Sequence, residues 1–213
     1  KNTKVELCMI LLYHKLMKKL GFDIVLLGMI ASGKETQANI LKKKYALKFV
    51  ESGVYTRNLL KEKGKDGDMA RRTAGKGKPL NTFLFQKFLI EEIKNKPKNK
   101  DLLFLGTPRL KPEAQLLKKT LAVRGENFLA LYITLPDKEV YKRSFLRKVG
   151  KMKMIYKIFD TKKLISTRIK WHKDQVGKTV KYFKSLNKLK IINGNQSVPK
   201  VTRDILKAIA EHK

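Results

Sequence analysis

Short, continuous apolar runs recur along the chain, separated by stretches in which apolar residues return every three or four positions. The clearest runs cover residues 23–28, 102–106 and 128–133, and weaker ones cover residues 47–50 and 189–192. Short continuous runs are typical of strands that are buried on both faces, and the periodic stretches between them are typical of helices. The pattern predicts an α/β fold of three layers, in which helices cover both faces of a five-stranded parallel sheet.

Six periodic stretches are predicted to form helices. They cover residues 34–45, 82–95, 112–123, 137–149, 160–186 and 199–212. Pro112 and Pro199 stand at the start of two of these stretches, where the first turn of a helix tolerates proline. Because no repeat or long linker interrupts the alternation, residues 22–213 are predicted to form one domain.

Residues 3–20 carry a separate apolar stripe ahead of the first predicted strand. The stripe consists of Val5, Leu7, Cys8, Leu11, Leu12, Leu16 and Leu20. Lysines surround it, and this arrangement predicts an amphipathic helix within an N-terminal extension of residues 1–21. Packing on the core is favoured over docking on a partner, and a leftover targeting helix is the least favoured interpretation.

A glycine-rich turn with the sequence GMIASGKETQ joins the first predicted strand to the first predicted helix. The backbone N–H groups of such a loop, together with the helix N-terminus, face an anion, and the lysine reaches the β- and γ-phosphates of a nucleotide. The turn therefore predicts a nucleotide-binding phosphate loop. Its candidate binding residues are Gly28, Ser32, Gly33, Lys34, Glu35 and Thr36.

Further motifs follow in an order that resembles the adenylate kinase family. Residues 51–57 (ESGVYTR) resemble the start of that family's AMP-binding helix, and residues 74–80 resemble the turn that closes its AMP subdomain. Residues 105–109 (LGTPR) resemble its Asp-Gly-Phe-Pro-Arg motif, and residues 135–147 resemble the helix that carries paired arginines before the lid. Residues 192–194 resemble the loop that touches the ATP base, so the resemblance runs from about residue 22 to the end.

The resemblance implies roles for individual residues. Lys34 and the arginines at positions 109, 143, 147 and 168 would be catalytic, since phosphoryl transfer depends on positioning and on stabilisation of charge. Gly194 would contact ATP. The substrate-binding candidates are Ser52, Gly53, Arg57, Arg109 and Glu113. A small AMP-binding subdomain at residues 53–80 and a short, degenerate lid at residues 148–160 are also implied.

Several positions depart from the family pattern. Leu105 stands where the family has an aspartate that orders Mg²⁺ and its waters, which leaves the binding of Mg²⁺ in doubt, although ATP or another nucleotide remains an expected ligand. Glu35 replaces a glycine, Ala31 occupies a position that suits glycine, and Glu113 replaces the glutamine that would read the adenine of AMP. No protein metal site is predicted.

The chain is strongly basic, which suggests a further function. The chain has 50 Lys or Arg against 18 Asp or Glu, a net charge of +32, and its 42% hydrophobic residues exclude a wholly disordered chain. A polyanion such as RNA would relieve the resulting self-repulsion. Residues 137–190 hold 18 Lys or Arg against 4 Asp or Glu. The predicted RNA contacts are Lys162, Lys163, Lys170, Trp171, Lys173, Lys178 and Lys181.

Two functions are therefore predicted. The favoured one is a kinase fold reused as a basic, RNA-binding component of a ribonucleoprotein, a ribosome being the best guess, in the mitochondrial matrix or another ribosome-containing compartment, with kinase activity weak or lost. The alternative is an active adenylate kinase or other nucleoside monophosphate kinase from a lysine-rich proteome, which would be cytoplasmic. No membrane span is expected, and a single cysteine, Cys8, leaves no internal disulfide partner.

Overall fold

The apolar runs become strands. The computed structural model describes residues 17–76, 79–147 and 161–212, and within these ranges five strands form one parallel sheet in the order β2-β3-β1-β4-β5. The strands are β1 (Asp23–Gly28), β2 (Leu47–Val50), β3 (Asp101–Leu105), β4 (Phe128–Thr134) and β5 (Leu189–Asn193). The predicted fold class and the parallel sheet are confirmed.

Strand β1 lies at the centre of the sheet. Ile24 is in register with Leu103 of β3 and with Leu129 of β4, and every residue of β1 is buried. A central strand has neighbours on both edges and helices on both faces, which explains why its sequence is continuously apolar rather than alternating. The loop that leaves β1 therefore opens at the middle of the carboxyl edge of the sheet.

The helices fill the connections between strands. They are α1 (Lys34–Lys44), α2 (Ser52–Leu59), α3 (Lys65–Thr73), α4 (Thr82–Lys94), α5 (Lys111–Val123), α6 (Asp137–Arg147), α7 (Lys162–Trp171), α8 (Gly177–Ser185) and α9 (Val198–Ala210). A π-helical turn, His172–Val176, joins α7 to α8, so the long helix predicted at residues 160–186 exists with one wide turn inside it. Among the described helices, none combines the length and apolar character that a membrane crossing requires.

Two local predictions differ from the structure. Helix α3 was not predicted, and it lies within the subdomain expected at residues 53–80. The helix predicted over residues 3–20 does not reach its expected end, because residues 17–20 are not helical and Lys18 instead forms a parallel bridge to Tyr45. The rest of that prediction, and the lid predicted at residues 148–160, lie outside the described residues.

Two apolar layers cover the faces of the sheet. Helices α1 and α9 cover one face, where Leu41 and Ile205 pack against Ile24 and Leu26. Helices α4, α5 and α8 cover the other face, where Phe88 and Phe183 pack in the cluster that contains Val25 and Leu27. The strands alternate between the two layers because successive side chains of a strand point to opposite faces.

Candidate active site

The phosphate loop runs from the end of β1 to the start of α1. The amide nitrogen of Ser32 donates to the carbonyl oxygen of Met29 at 3.2 Å, which closes the loop on itself. Ala31 and Gly33 both have left-handed backbone conformations, with φ of +59° and +87°. The prediction that a side chain at Ala31 meets a glycine-type conformation is therefore confirmed, and the loop carries that local strain.

Two glycines allow the loop to pack closely against its neighbours. A Cβ atom added to Gly28 would lie 2.6 Å from the carbonyl oxygen of Ile133, and one added to Gly194 would overlap the carbonyl oxygen of Thr134. The same added atom on Gly194 would lie 3.6 Å from the carbonyl oxygen of Ser32. The structure thus brings Gly194, in the loop after β5, against the phosphate loop. Its predicted contact with ATP stays a prediction.

Lys34 lies over the phosphate loop. Its ammonium group donates to the carbonyl oxygens of Gly28 and Met29 at 2.9 and 2.8 Å. The hydroxyl of Ser32 is buried and has no hydrogen-bond partner among the described residues, which is unusual for a buried oxygen. Glu35 and Thr36 are exposed in the first turn of α1. A phosphate oxygen in the loop would give the Ser32 hydroxyl a partner and would lie within reach of the Lys34 ammonium.

Arg109 follows β3, and side chains of neighbouring elements hold its backbone in place by hydrogen bonds. Its amide nitrogen donates to Glu113 at 2.8 Å, and its carbonyl oxygen accepts from the hydroxyl of Thr179 at 2.9 Å. Its Nε donates to the carbonyl oxygen of Gly106 at 2.9 Å. Desolvation by the surrounding protein lowers the pKa of Arg109, although part of the side chain reaches solvent. The charge of Glu113 opposes this lowering, and the charge of Arg168 adds to it. The guanidinium groups of Arg109 and Arg168 therefore share one cleft.

His172 lies at the wall of the same cleft. It is buried, and its Nε2 lies 3.2 Å from the hydroxyl of Tyr132 on β4. Burial first, and then the positive charges of Lys34 and Arg109, lower the pKa of His172 to about 4. The sequence offered no signal for this contact, since the π-helical turn that directs His172 to the sheet has no reliable sequence pattern.

Arg143 and Arg147 lie on α6. Arg143 donates from Nη2 to the carbonyl oxygen of Gly194 at 3.1 Å, and its Nε lies 3.6 Å from Glu139. This contact places Arg143 at the loop after β5, beside the phosphate loop. Arg147 is the last residue of α6, and its side chain is outside the described part of the chain. Its predicted role stays a prediction.

Apart from Arg109, the residues predicted to bind the second substrate lie on α2 and α5. Ser52 and Gly53 start α2 directly after β2, and the Arg57 guanidinium lies 3.5 Å from the position of a Cβ added to Gly53. Because β2 pairs with β3, α2 begins at the same edge of the sheet as Arg109. Residues 53–57 therefore border the cleft from the side opposite α6.

Glu113 has a structural contact that the sequence did not reveal. One carboxylate oxygen accepts the backbone N–H groups of Arg109 and Leu110 at 2.8 and 3.0 Å, so the side chain closes the first turn of α5. Burial raises the pKa of Glu113, and the two backbone donors and Arg109 oppose that rise. A role for Glu113 in reading the base stays a prediction, and any such role would fall to the other carboxylate oxygen.

The cleft offers few oxygen ligands for a metal. Leu105 ends β3 and packs against the α1 side of the core, as expected of an alkyl side chain. Across residues 17–76, 79–147 and 161–212, no three His, Cys, Asp or Glu side chains meet in a group that would hold a metal ion. The residues fit a divalent cation that arrives on nucleotide phosphates better than one caged by the protein, which is the usual arrangement for Mg²⁺.

The predicted RNA contacts divide into two groups. The lysines at positions 162, 163, 170, 173, 178 and 181 are exposed along α7, the π-helical turn and α8. Lys173 is paired with Asp137 at 2.7 Å, and Lys178 with Asp174 at 3.0 Å. Trp171 is partly buried against the core cluster that contains Phe183, and its predicted contact with bases stays a prediction.

A central strand, a strained glycine loop, a lysine over that loop and a cleft lined by arginines define a phosphate-loop nucleotide-binding protein of the α/β class. The sequence model of the family described as "Adenylate kinase" matches residues 26–188. The chain belongs to the adenylate kinase family.

Individual relatives agree with this assignment. The chain is 29% identical over 187 residues to an adenylate kinase from Flavobacterium johnsoniae, covering 88% of this chain and 97% of that protein. It is 28% identical over 188 residues to one from Bacteroides fragilis, with 88% and 97% covered, and 22% identical over 209 residues to one from Fusobacterium nucleatum, with 89% and 99% covered. These similarities favour the kinase prediction over the ribonucleoprotein prediction, for which the comparisons give no support.

Proposed function

We propose that this protein is an adenylate kinase that catalyses ATP + AMP ⇌ 2 ADP. One observation carries the proposal: the Lys34 ammonium lies over the phosphate loop, and the same cleft holds Arg109, whose backbone is fixed by Glu113 and Thr179. The transfer of a phosphoryl group requires little covalent chemistry from the protein, and it depends on fixed cations around the phosphates. The cleft supplies these cations on rigid supports.

The proposed roles follow from position. The backbone N–H groups of the loop and of the first turn of α1 bind the β-phosphate of ATP, and Lys34 moves from the loop carbonyls to the β- and γ-phosphate oxygens. Arg109 and Arg168 bind the phosphates on the far side of the cleft, where they offset the charge on the transferring group. Arg57 binds the phosphate of AMP, and Arg143 supports the loop at Gly194 beside the nucleotide.

The proposed phosphoryl donor is the magnesium complex of ATP, MgATP. The metal neutralises the phosphate oxygens when it is bound, and here the phosphates themselves and water hold it. Membership of the adenylate kinase family does not support the doubt about Mg²⁺ that Leu105 raised. The protein's own contribution is a positively charged cleft from which the walls exclude part of the water.

The decisive experiment measures ADP formation from MgATP and AMP with the purified chain, beside Lys34→Ala and Lys44→Ala. Both variants lose one lysine of α1, but Lys34 contacts the loop and Lys44 is exposed at the other end of the helix. We expect a turnover of about 1–100 per second for the wild type and for Lys44→Ala, and a loss of at least about a thousandfold for Lys34→Ala. Equal activity in both variants would contradict the proposal.

The identity of the accepted base rests on a separate measurement. The same assay with AMP, GMP, CMP and UMP as acceptors would show whether the enzyme prefers adenine. Glu113 stands where the resemblance places the base contact, and its backbone contacts leave one carboxylate oxygen for it. If GMP or a pyrimidine nucleotide were preferred, the protein would be a kinase of another nucleoside monophosphate.

A second function is supported by one observation that the kinase reaction does not explain, the net charge of +32. Six of the seven predicted RNA contacts remain exposed along α7, the π-helical turn and α8. A row of exposed cations attracts a phosphate backbone irrespective of sequence. RNA binding, membership of a ribosome and a mitochondrial location all stay predictions, and RNA binding alone is compatible with an active kinase.

A further inference from the structure

His172 is a buried, titratable side chain at the wall of the cleft, and the proposed reaction assigns it no role. Its Nε2 and the hydroxyl of Tyr132 share a hydrogen bond of 3.2 Å, and the two rings are nearly parallel, at an interplanar angle of 21°. Tyr132 is in register with Leu27, the residue before Gly28, so this hydrogen bond lies on the strand beside the start of the phosphate loop. A buried hydrogen bond in this place can fix how the neighbouring helix sits against the cleft.

The helix that His172 belongs to reaches the cleft at two further points. Arg168 lies four residues before His172 on α7, and the amide of His172 donates to its carbonyl oxygen, so the two side chains leave the same side of the helix. Thr179, on α8, donates its hydroxyl to the carbonyl oxygen of Arg109 at 2.9 Å. Desolvation lowers the pKa of Arg109 and the charge of Arg168 adds to that lowering, so the two guanidinium groups lie near each other in the cleft.

The π-helical turn begins at His172 and separates these contacts. The amide of Gly177 donates to the carbonyl oxygen of His172, five residues earlier, which is the hydrogen bond of a wide turn. Arg168 and His172 face the cleft before the wide turn, and Thr179 reaches the backbone of Arg109 after it. Wide turns of this kind are frequent at functional sites.

Apolar packing alone leaves the rotation of α7 loosely defined. Ile165 and Ile169 bury one side of α7 in the cluster that contains Met29. Burial of apolar surface is non-directional, so it holds the helix on its neighbours without fixing the rotation about the helix axis. The hydrogen bond between His172 and Tyr132 is directional, and it ties the C-terminal end of α7 to the sheet in one rotation.

We propose that His172 is a positioning residue of the phosphoryl-transfer site, whose hydrogen bond to Tyr132 holds α7 in the rotation that brings Arg168 to the transferring phosphate. The proposal rests on the proposed kinase function, and it gives that function a residue that acts without touching the substrate. Burial, and then the charges of Lys34 and Arg109, lower the pKa of His172 to about 4, so the imidazole is neutral at pH 7. A neutral, buried ring serves as an anchor for the helix rather than as a ligand for phosphate.

Two substitutions remove the anchor from opposite ends. His172→Leu deletes the imidazole, and Tyr132→Phe deletes only the hydroxyl and keeps the aromatic ring. We expect each to lower kcat for ADP formation at least about tenfold, since a displacement of about 1 Å in a reacting site costs up to about a hundredfold in rate. KM for ATP and for AMP should stay within about threefold of the wild type, because the lost contact is made in the transition state. His172→Gln keeps a hydrogen-bonding side chain and should recover most of the lost kcat.

Tyr182→Phe is the matched control for the loss of a hydroxyl. Tyr132 and Tyr182 both pack partly against the same core cluster, but Tyr182 lies in the last turn of α8, which leads to the opposite edge of the sheet. The control should keep the wild-type kcat, and thermal unfolding of every variant gives an assay temperature at which all are folded. A loss of kcat in Tyr182→Phe equal to that in Tyr132→Phe would overturn the proposal, because the effect would then follow from a weakened core.

A double variant tests whether His172 acts through Arg168. If it does, adding His172→Leu to Arg168→Ala should lower kcat by less than about twofold beyond Arg168→Ala alone, since residues that act as a unit do not have additive effects. Two full losses that multiply in the double variant would overturn the link between the two residues.

Equilibrium binding distinguishes a failure of this inference from a failure of the kinase function. Calorimetry measures the affinity of the purified chain for an unreactive analogue in which five phosphates join two adenosines, so that it reaches from one nucleotide site to the other. We expect His172→Leu to weaken this binding about tenfold, because Arg168 contacts the phosphates between the sites. A wild type that neither turns over nor binds the analogue would contradict the kinase function and this inference together. An active wild type whose His172→Leu and Tyr132→Phe variants keep its kcat and its affinity would overturn this inference alone.

Discussion

The hydroxyl of Tyr132 lies 3.2 Å from Nε2 of His172, which ties strand β4 to the π-helical turn between α7 and α8. The two rings are nearly parallel, with centroids 6.0 Å apart. Burial and the nearby charges of Lys34 and Arg109 hold the pKa of His172 at about 4, so the imidazole is neutral at pH 7. A neutral histidine thus supports the helix that carries Arg168.

This arrangement predicts a loss of stability in mild acid. The unfolded chain takes up a proton on His172 near pH 6.5, whereas the folded chain does so only near pH 4. The stabilisation is therefore complete above about pH 6.5 and is lost as the pH falls towards 4, and the free energy of unfolding drops by about 2 kcal/mol between pH 7 and pH 5 from this residue alone. Denaturant unfolding at both pH values measures the drop.

His172→Gln is the matched variant for this measurement. Glutamine can still hydrogen-bond to the hydroxyl of Tyr132 but does not titrate, so the loss between pH 7 and pH 5 should be smaller by about 2 kcal/mol than in the wild type. Because Asp23 and Glu113 also have shifted pKa values, only the difference between the two proteins is interpreted. Identical pH profiles would rule out His172 as the group responsible.

The close packing around Gly194 predicts that a larger residue at this position weakens both ATP binding and stability. A Cβ atom at this position would overlap the carbonyl oxygen of Thr134 and would lie 2.6 Å from Cγ2 of Ile133, so Gly194→Ala must move the loop that Arg143 contacts. We expect the KM for ATP to rise about tenfold and stability to fall by about 1–3 kcal/mol, as for overpacking in a core. ATP titrations of initial rate and thermal unfolding give the two numbers.

Gly177→Ala is the control for this substitution. Gly177 starts α8 with a helical backbone, and an added Cβ atom meets nothing within 4 Å. Alanine is the better helix former, so the variant should gain up to about 1 kcal/mol of stability without a change in KM. If both glycine variants showed the same change in KM for ATP and in stability, the close contact at Gly194 would not explain the effect of Gly194→Ala.

The sheet could be predicted from the sequence because its strands are buried on both faces. Continuous apolar runs leave few alternatives, and the predicted bounds of β1 and β2 match the structure. Helix α3 was missed because its stability is tertiary. The guanidinium of Arg71 donates to the carbonyl oxygens of Leu60 and Glu62 at 3.1 and 2.8 Å, and Ala70 is buried among leucines from neighbouring helices.

The candidate site was predictable to the extent that backbone motifs define it. The loop at Lys34 and the turn at Arg109 follow strands, and parallel strands deliver such turns to one edge of the sheet. The contact partners were not predictable, since Glu113 caps a helix and His172 faces β4 through a π-helical turn. The partial burial of Trp171 was not predictable either, because periodicity does not distinguish an aromatic side chain that packs on the core from one that is exposed.

The leucine at position 105 leads to a testable prediction about the Mg²⁺ dependence of activity. If the resemblance places this residue beside the water shell of nucleotide-bound Mg²⁺, Leu105→Asp should lower the free Mg²⁺ concentration for half-maximal activity by about tenfold. The side chain packs partly against the core, so a stability loss of about 1–3 kcal/mol is expected as well. ADP formation is measured across a Mg²⁺ titration at a temperature where both proteins are folded.

Leu105→Asn controls for the cost of a polar group at this position. It has nearly the size of aspartate but no charge, so it should lose similar stability without the shift in Mg²⁺ dependence. The same Mg²⁺ midpoint in all three proteins would mean that residue 105 does not act on the metal. A shift in Leu105→Asn equal to that in Leu105→Asp would mean that a polar side chain, rather than a carboxylate, is sufficient.

The exposed lysines of α7 and α8 give the last prediction. Lys163, Lys170 and Lys181 are exposed on this long helix, and replacing all three by glutamine removes three charges from one surface. If that surface contacts RNA, the salt dependence of binding should become weaker. The negative slope of log K against log salt for a single-stranded RNA should become less steep by about 2, as expected for three lost phosphate contacts. Filter binding or fluorescence anisotropy over a range of salt concentrations measures the slope.

The control removes the same charge from other surfaces. Lys44, Lys118 and Lys119 are exposed on α1 and α5, and the corresponding triple glutamine variant has an equal net charge. A specific RNA surface requires that this variant keep nearly the wild-type slope. Equal reductions in both variants would show that the net charge of +32 attracts RNA without a defined surface, because non-specific attraction depends on the total charge rather than on its placement.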